Sequence, residues 1–115
     1  MYSKEELLIF SFINSNYDIS IQNLTYKIFN FSNKENINFF KLNKLGKIEF
    51  LKPFFSENNI EKILFIFDKL NLYKIKIEKI IKNCEEKNIK IFYYSYENYP
   101  KNLMNIKEST YIIFV

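Results

Sequence analysis

A chain with a single glycine cannot fold as a meander of tight β-hairpins. Gly46 is the only glycine in 115 residues, and Pro53 and Pro100 are the only prolines. Hairpin turns rely on Asn-Gly, Asp-Gly and similar pairs to reach positive φ. Apolar residues nonetheless make up 48% of the chain, with 13 Phe and 9 Tyr. One packed domain is therefore within reach by composition. Together these facts predict a mainly helical chain with few strands.

The helix signals follow in order. Ser3 with Glu6 is a capping-box pattern and predicts a first helix over about residues 4–13, almost without a polar face (Leu7, Leu8, Ile9, Phe10, Phe12, Ile13). Asn14 to Asp18 reads as a loop, and Ser20 as the cap of a second helix over 21–31. Ser32 with Glu35 repeats the capping box and predicts a third helix through Ile37, Phe39, Phe40 and Leu42, closed by Gly46 as its left-handed residue. Pro53 limits 47–55 to a short helix or turn. Ser56, or Asn58 with Glu61, caps a fourth helix to about Leu70. Asn71 to Tyr73 reads as a break. A last helix over 74–87 carries Ile77, Ile80, Ile81 and Cys84 at i, i+3, i+4 and i+7, with Lys76, Lys79 and Lys82 pointing away. Asn88 is a left-handed cap, and 89–94 and 111–115 read as strands.

Charge and residue types exclude several functions. The net charge is +4, every basic residue is a lysine, and 13 acids are interleaved with them. Polyanion binding is permitted and not implied. Cys84 is the only cysteine, and there is no histidine to activate it. A buried structural thiol in a reducing cytosol is expected. With no His or Cys cluster, no metal site is expected. One glycine rules out a phosphate-cradling glycine loop, so no nucleotide cofactor is expected. Glu5-Glu6 and Glu85-Glu86 are adjacent pairs, which on a helix do not share a face for acid–base work. The apolar run Ile63 to Phe67 is far too short to span a membrane, and MYSKEELL is not a secretory signal. A cytoplasmic binding protein, not an enzyme, is the expectation.

One cluster invites a ligand. Lys41, Lys44, Lys47 and Lys52 fall between Phe40 and Pro53, with Glu49 the only acid among them. Phe39, Phe40, Phe50, Phe54 and Phe55 are interleaved. The pattern suits a stacking and phosphate surface for single-stranded nucleic acid. It suits equally a solvated lysine face over a phenylalanine core.

The last third carries a more specific pattern. Ile89, Ile91, Tyr99, Pro100, Leu103, Ile106 and the strand Tyr111 to Val115 make a helix, strand, Tyr-Pro bend, spacer and apolar strand. This arrangement resembles the DNA-processing protein A (DprA, also called Smf) family, closely over about the last 36 residues and loosely before them. Tyr99-Pro100 fixes a bend, and Leu103 with Ile106 can pack one helical turn; these are structural roles. The resemblance implies a mostly α fold, a SAM-like helical bundle with a short two-strand α/β element at the C-terminus. It divides the chain into residues 1–73, the helical domain, and 74–115, the start of a Rossmann-like core. It also implies single-stranded DNA binding and help in loading RecA during natural transformation, with the helical domain open to a protein partner.

The sequence departs from the family at four places. Ser95-Tyr96 is unusual before the Tyr-Pro, where Glu97 keeps the acidic turn residue only in part. Ser109-Thr110 stands where a proline pair is common. Asn14 to Ile19 lacks the glycines of a phosphate-contacting hairpin. The residues up to Val115 do not include the glycine-rich core that carries the family's DNA pocket. Tyr111 to Val115 is then expected to pair with 89–94, pack on the helices, or stand as an open edge. The competing expectation is a stand-alone helical interaction module with no DNA role.

Overall fold

The computed structural model describes residues 2–94, 96 and 111–114. It is mostly α with a short two-strand element, as the sequence predicts. The helices are α1 (Lys4–Asn16), α2 (Ile19–Lys34), α3 (Lys44–Leu51), α4 (Glu57–Phe67) and α5 (Leu70–Glu86), with a 3₁₀ turn at Phe39–Lys41. The strands β1 (Ile91–Tyr93) and β2 (Ile112–Phe114) pair antiparallel, Phe92 opposite Ile113.

α1 is the central element. Its Ser3–Glu6 capping box is formed in both directions, and Leu7, Leu8, Ile9, Phe10 and Ile13 are all buried. A helix buried on most of its faces belongs in the middle of a bundle, and α1 packs on α2, α5 and β2. Phe10 lies edge-on to Tyr2 and Phe29, with centroids at 5.0 and 5.4 Å. It stacks on Tyr111 at 5.1 Å, and Tyr111 stacks in turn on Tyr26 of α2 at 5.0 Å. Tyr111 therefore carries β2 into the bundle.

Two helix ends explain how the chain turns with so little glycine. α2 closes with Asn36 at φ 55° and α5 with Asn88 at φ 56°. In each, two backbone bonds wrap the end: Ile37 N–H to Ser32 O at 2.8 Å and Ile89 N–H to Cys84 O at 2.9 Å are the outer pair. These are Schellman caps with asparagine in the left-handed position. The Asn88 expectation is met.

Several boundaries differ from the sequence reading. Ser32 does not open a third helix. It lies inside α2, buried, donating to Phe29 O at 3.1 Å, the local back-bond that serine makes within helices. α2 begins at Ile19 with Asp18, not Ser20, as its cap. The Ser20 hydroxyl first, then the Ile21 N–H, hold the Asp18 carboxyl below its usual range.

Gly46 is not a left-handed terminus either. It sits in the first turn of α3, where its N–H donates to Asn43 Oδ1 at 2.7 Å. Asn71 to Tyr73 does not break the chain, because α5 already includes them. Tyr73 is buried against Phe12, and that packing outweighs the weak helix propensity of Asn71. The expected division between residues 73 and 74 consequently falls inside α5, and Tyr111 shares the core of residues 2–77.

Candidate functional site

The four clustered lysines do not form one surface of free charges. Lys47 turns inward: its ammonium donates to Leu42 O and lies 5.7 Å from the Phe39 ring centroid. Burial pushes its pKa below the ordinary lysine value, with Asp68 opposing. Lys52 pairs with Glu49 at 3.4 Å across one helical turn. Lys41 lines a cleft of about 280 Å³ that also presents Glu5 and Glu6, carboxylates that repel a phosphate. Lys41 and Lys44 are exposed and without a carboxylate at ion-pair distance among the described residues.

The phenylalanines between them are mostly structural. Phe39 is fully buried, and Phe40, Phe50 and Phe55 pack on the core. Phe54 is half-exposed but stacks on Phe31 at 4.3 Å. A base would find no row of open rings here. The phenylalanines of the cluster are thus packed into or against the fold beneath these lysines.

Tyr99, Pro100 and Leu103 lie outside the described residues. Cys84 is buried on the inner face of α5, as expected. Among the described residues no group of His, Cys, Asp and Glu could hold a metal ion, and no helix is long and apolar enough to cross a membrane.

A wider concavity lies elsewhere, between the end of α1 and the start of α5, with a volume of about 500 Å³. Lys69, Lys76 and Lys79 border it, and no Asp or Glu does. Its floor holds Tyr17 and Tyr73, whose hydroxyls are 2.7 Å apart. Burial first, then the Tyr17 hydrogen bond, raises Tyr73 well above the ordinary tyrosine range. Leu72 and Ile75, 59% and 57% exposed, form its apolar lip.

Sequence reasoning missed this groove because Leu72 was assigned to a break. With α5 extended to Leu70, Leu72, Ile75, Lys76 and Lys79 fall at i, i+3, i+4 and i+7 on one face. That periodicity was present in the sequence.

No family model, curated protein or solved structure matches this chain.

Proposed function

We propose that this chain is a binding module, the N-terminal helical part of a DprA/Smf-like DNA-processing protein together with its first strands. The carrying observation is the sequence pattern Ile89, Ile91, Tyr99, Pro100, Leu103, Ile106 and Tyr111 to Val115. The order of elements supports it: a helical bundle leaves α5 through Asn88 into β1 and regains a strand at Ile112. In this reading the helical domain is accessory. Single-stranded DNA binding and RecA loading belong to the glycine-rich core of the family pattern, and the helical bundle contributes partner docking.

The genomic reading frame beyond the Val115 codon tests this directly. A frame continuing into Lys-Gly and a glycine-rich core is the expected result. A stop codon at that point, with stable expression of the 115-residue protein, overturns it. The second reading, a stand-alone protein-interaction module, draws its support from the groove between α1 and α5 and from the engagement of Lys47 and Lys52 within the fold.

A further inference from the structure

We propose that the groove between α1 and α5 docks a short acidic amphipathic helix from a protein partner. The argument begins with charge. Lys69, Lys76 and Lys79 border the groove without a carboxylate among its lining residues. None of the three has an ion-pair partner among the described residues. The Tyr17–Tyr73 pair adds to this: one hydroxyl donates to the other, so one hydroxyl hydrogen of the pair is left for an outside acceptor. The groove thus offers donors to an anionic ligand.

The apolar surface selects among anionic ligands. Leu72 and Ile75 are exposed on the lip, and Phe65, 61% exposed, adjoins it through Lys69, whose ammonium lies 4.1 Å from the Phe65 ring centroid. The rings inside the groove are not open platforms. Tyr73 is buried, and the Phe12 ring is covered by the Lys76 ammonium at 5.3 Å. Bases need free ring faces for stacking, whereas aliphatic lips take aliphatic anchors. Leu72 to Lys79 spans about 10 Å of helix. This length matches a partner helix of two to three turns with two apolar anchors one turn apart and acids flanking them.

The test uses the full chain with uniform ¹⁵N labelling. The probe is a synthetic helical peptide carrying Leu at i and i+4 and Glu at its outer positions. A peptide with Lys in place of every Glu and an oligothymidine serve as comparisons. The expected result is chemical-shift changes concentrated at Tyr17 and Leu72 to Lys79 with the acidic peptide alone. K76E combined with K79E should weaken binding about tenfold, since each new carboxylate faces the peptide's acids. L72S combined with I75S should weaken it by a similar factor. Both pairs are exposed, so the amide spectrum should otherwise be retained. Dispersed shifts, equal binding of the basic peptide, or no binding of the acidic peptide at millimolar concentration would overturn the proposal. Oligothymidine binding at these residues in place of the acidic peptide would also overturn it, in favour of a nucleic-acid groove.

Discussion

The Tyr2 hydroxyl donates to Ser32 Oγ across thirty residues of sequence, and both groups are buried. The bond is one link of a directed chain. Phe39 N–H donates to Tyr2 Oη at 3.2 Å, Tyr2 donates to Ser32, and Ser32 donates to Phe29 O. Each buried polar group has its partner, which fixes the 3₁₀ turn against α2. Tyr2→Phe leaves the Phe39 N–H without an acceptor and should cost about 1–3 kcal/mol. Ser32→Ala leaves the buried Tyr2 hydroxyl hydrogen without its acceptor and should also cost about 1–3 kcal/mol, with the Phe39 bond to Tyr2 retained. Urea denaturation of the two variants measures both values; no loss of stability in either would contradict a buried, satisfied chain at Tyr2 and Ser32.

Tyr111 presents the opposite case. Its ring is clamped between Phe10 and Tyr26, while its hydroxyl is buried without a hydrogen-bond partner among the described residues. An unpaired buried hydroxyl is destabilising, and its ring is not. Tyr111→Phe should therefore leave stability unchanged or raise it by about 1 kcal/mol. Tyr111→Ala should cost about 3–5 kcal/mol. Thermal unfolding followed by circular dichroism separates the two; a marked loss in the Phe variant would mean that the hydroxyl is satisfied in solution.

Asn36 and Asn88 hold the left-handed positions that close α2 and α5. Glycine reaches that region without strain, and alanine does not. Asn36→Gly and Asn88→Gly should be neutral within about 0.5 kcal/mol. The alanine variants should each lose about 1 kcal/mol. Chemical denaturation midpoints check the order; alanine matching glycine at either site would remove the cap from the account of chain reversal.

Alkaline pH should unfold the protein through its buried tyrosines. Burial raises Tyr2, Tyr73, Tyr93 and Tyr111 above the ordinary value of 10.0. In the unfolded chain these groups ionise near pH 10, while the folded state keeps them neutral. Above that pH the unfolded state binds fewer protons, so stability is full below pH 10 and falls as pH rises. Urea midpoints from pH 9 to 12 should decline, and the decline should be shallower in Tyr111→Phe. Parallel slopes would show that Tyr111 ionises within the fold.

The lysine cluster should be a poor ligand for single strands. Lys47 and Lys52 are engaged, so at most Lys41 and Lys44 remain to neutralise phosphates. For single strands the logarithm of affinity falls with the logarithm of salt by about 0.7 per neutralised phosphate. A labelled oligothymidine should therefore show a slope no steeper than about −1.4 at this surface, abolished by K41E with K44E. A much steeper slope carried by Lys47 would mean that its bond to Leu42 opens on binding.

Legibility followed the range of the forces involved. The α1 capping box, the Asn88 cap and the inner face of α5 were readable because each is set within one or two turns of chain. Ser32 was misread because its partner, Tyr2, lies on another element; a serine followed by glutamate at the third position looks the same whether it caps a helix or back-bonds inside one. Gly46 was misread for a related reason. Scarcity made it look reserved for a left-handed turn, but asparagine fills those turns here. The α5 start was hidden by Asn71, whose propensity is outweighed by Tyr73 packing on Phe12. In the lysine cluster, Lys44 could be read from spacing, whereas the inward turn of Lys47 depends on Phe39 and Leu42, which the 3₁₀ turn brings to it.

Tyr2 also touches the far side of the chain, accepting from the Tyr96 hydroxyl at its carbonyl, 3.3 Å away. Its contacts therefore close loops of very different size, to Ser32, to Phe39 and finally to Tyr96. Loop closure costs entropy that grows with the logarithm of loop length, so the last contact costs about 1 kcal/mol more than the first. On a ribosome the same order is imposed by time, because residues 32 and 39 emerge well before residue 96. The nascent chain can dock Tyr2 against α2 early and complete its surroundings only once residue 96 has emerged. An N-terminal fusion that displaces Tyr2 should thus slow the first docking step as well as loosen the finished fold.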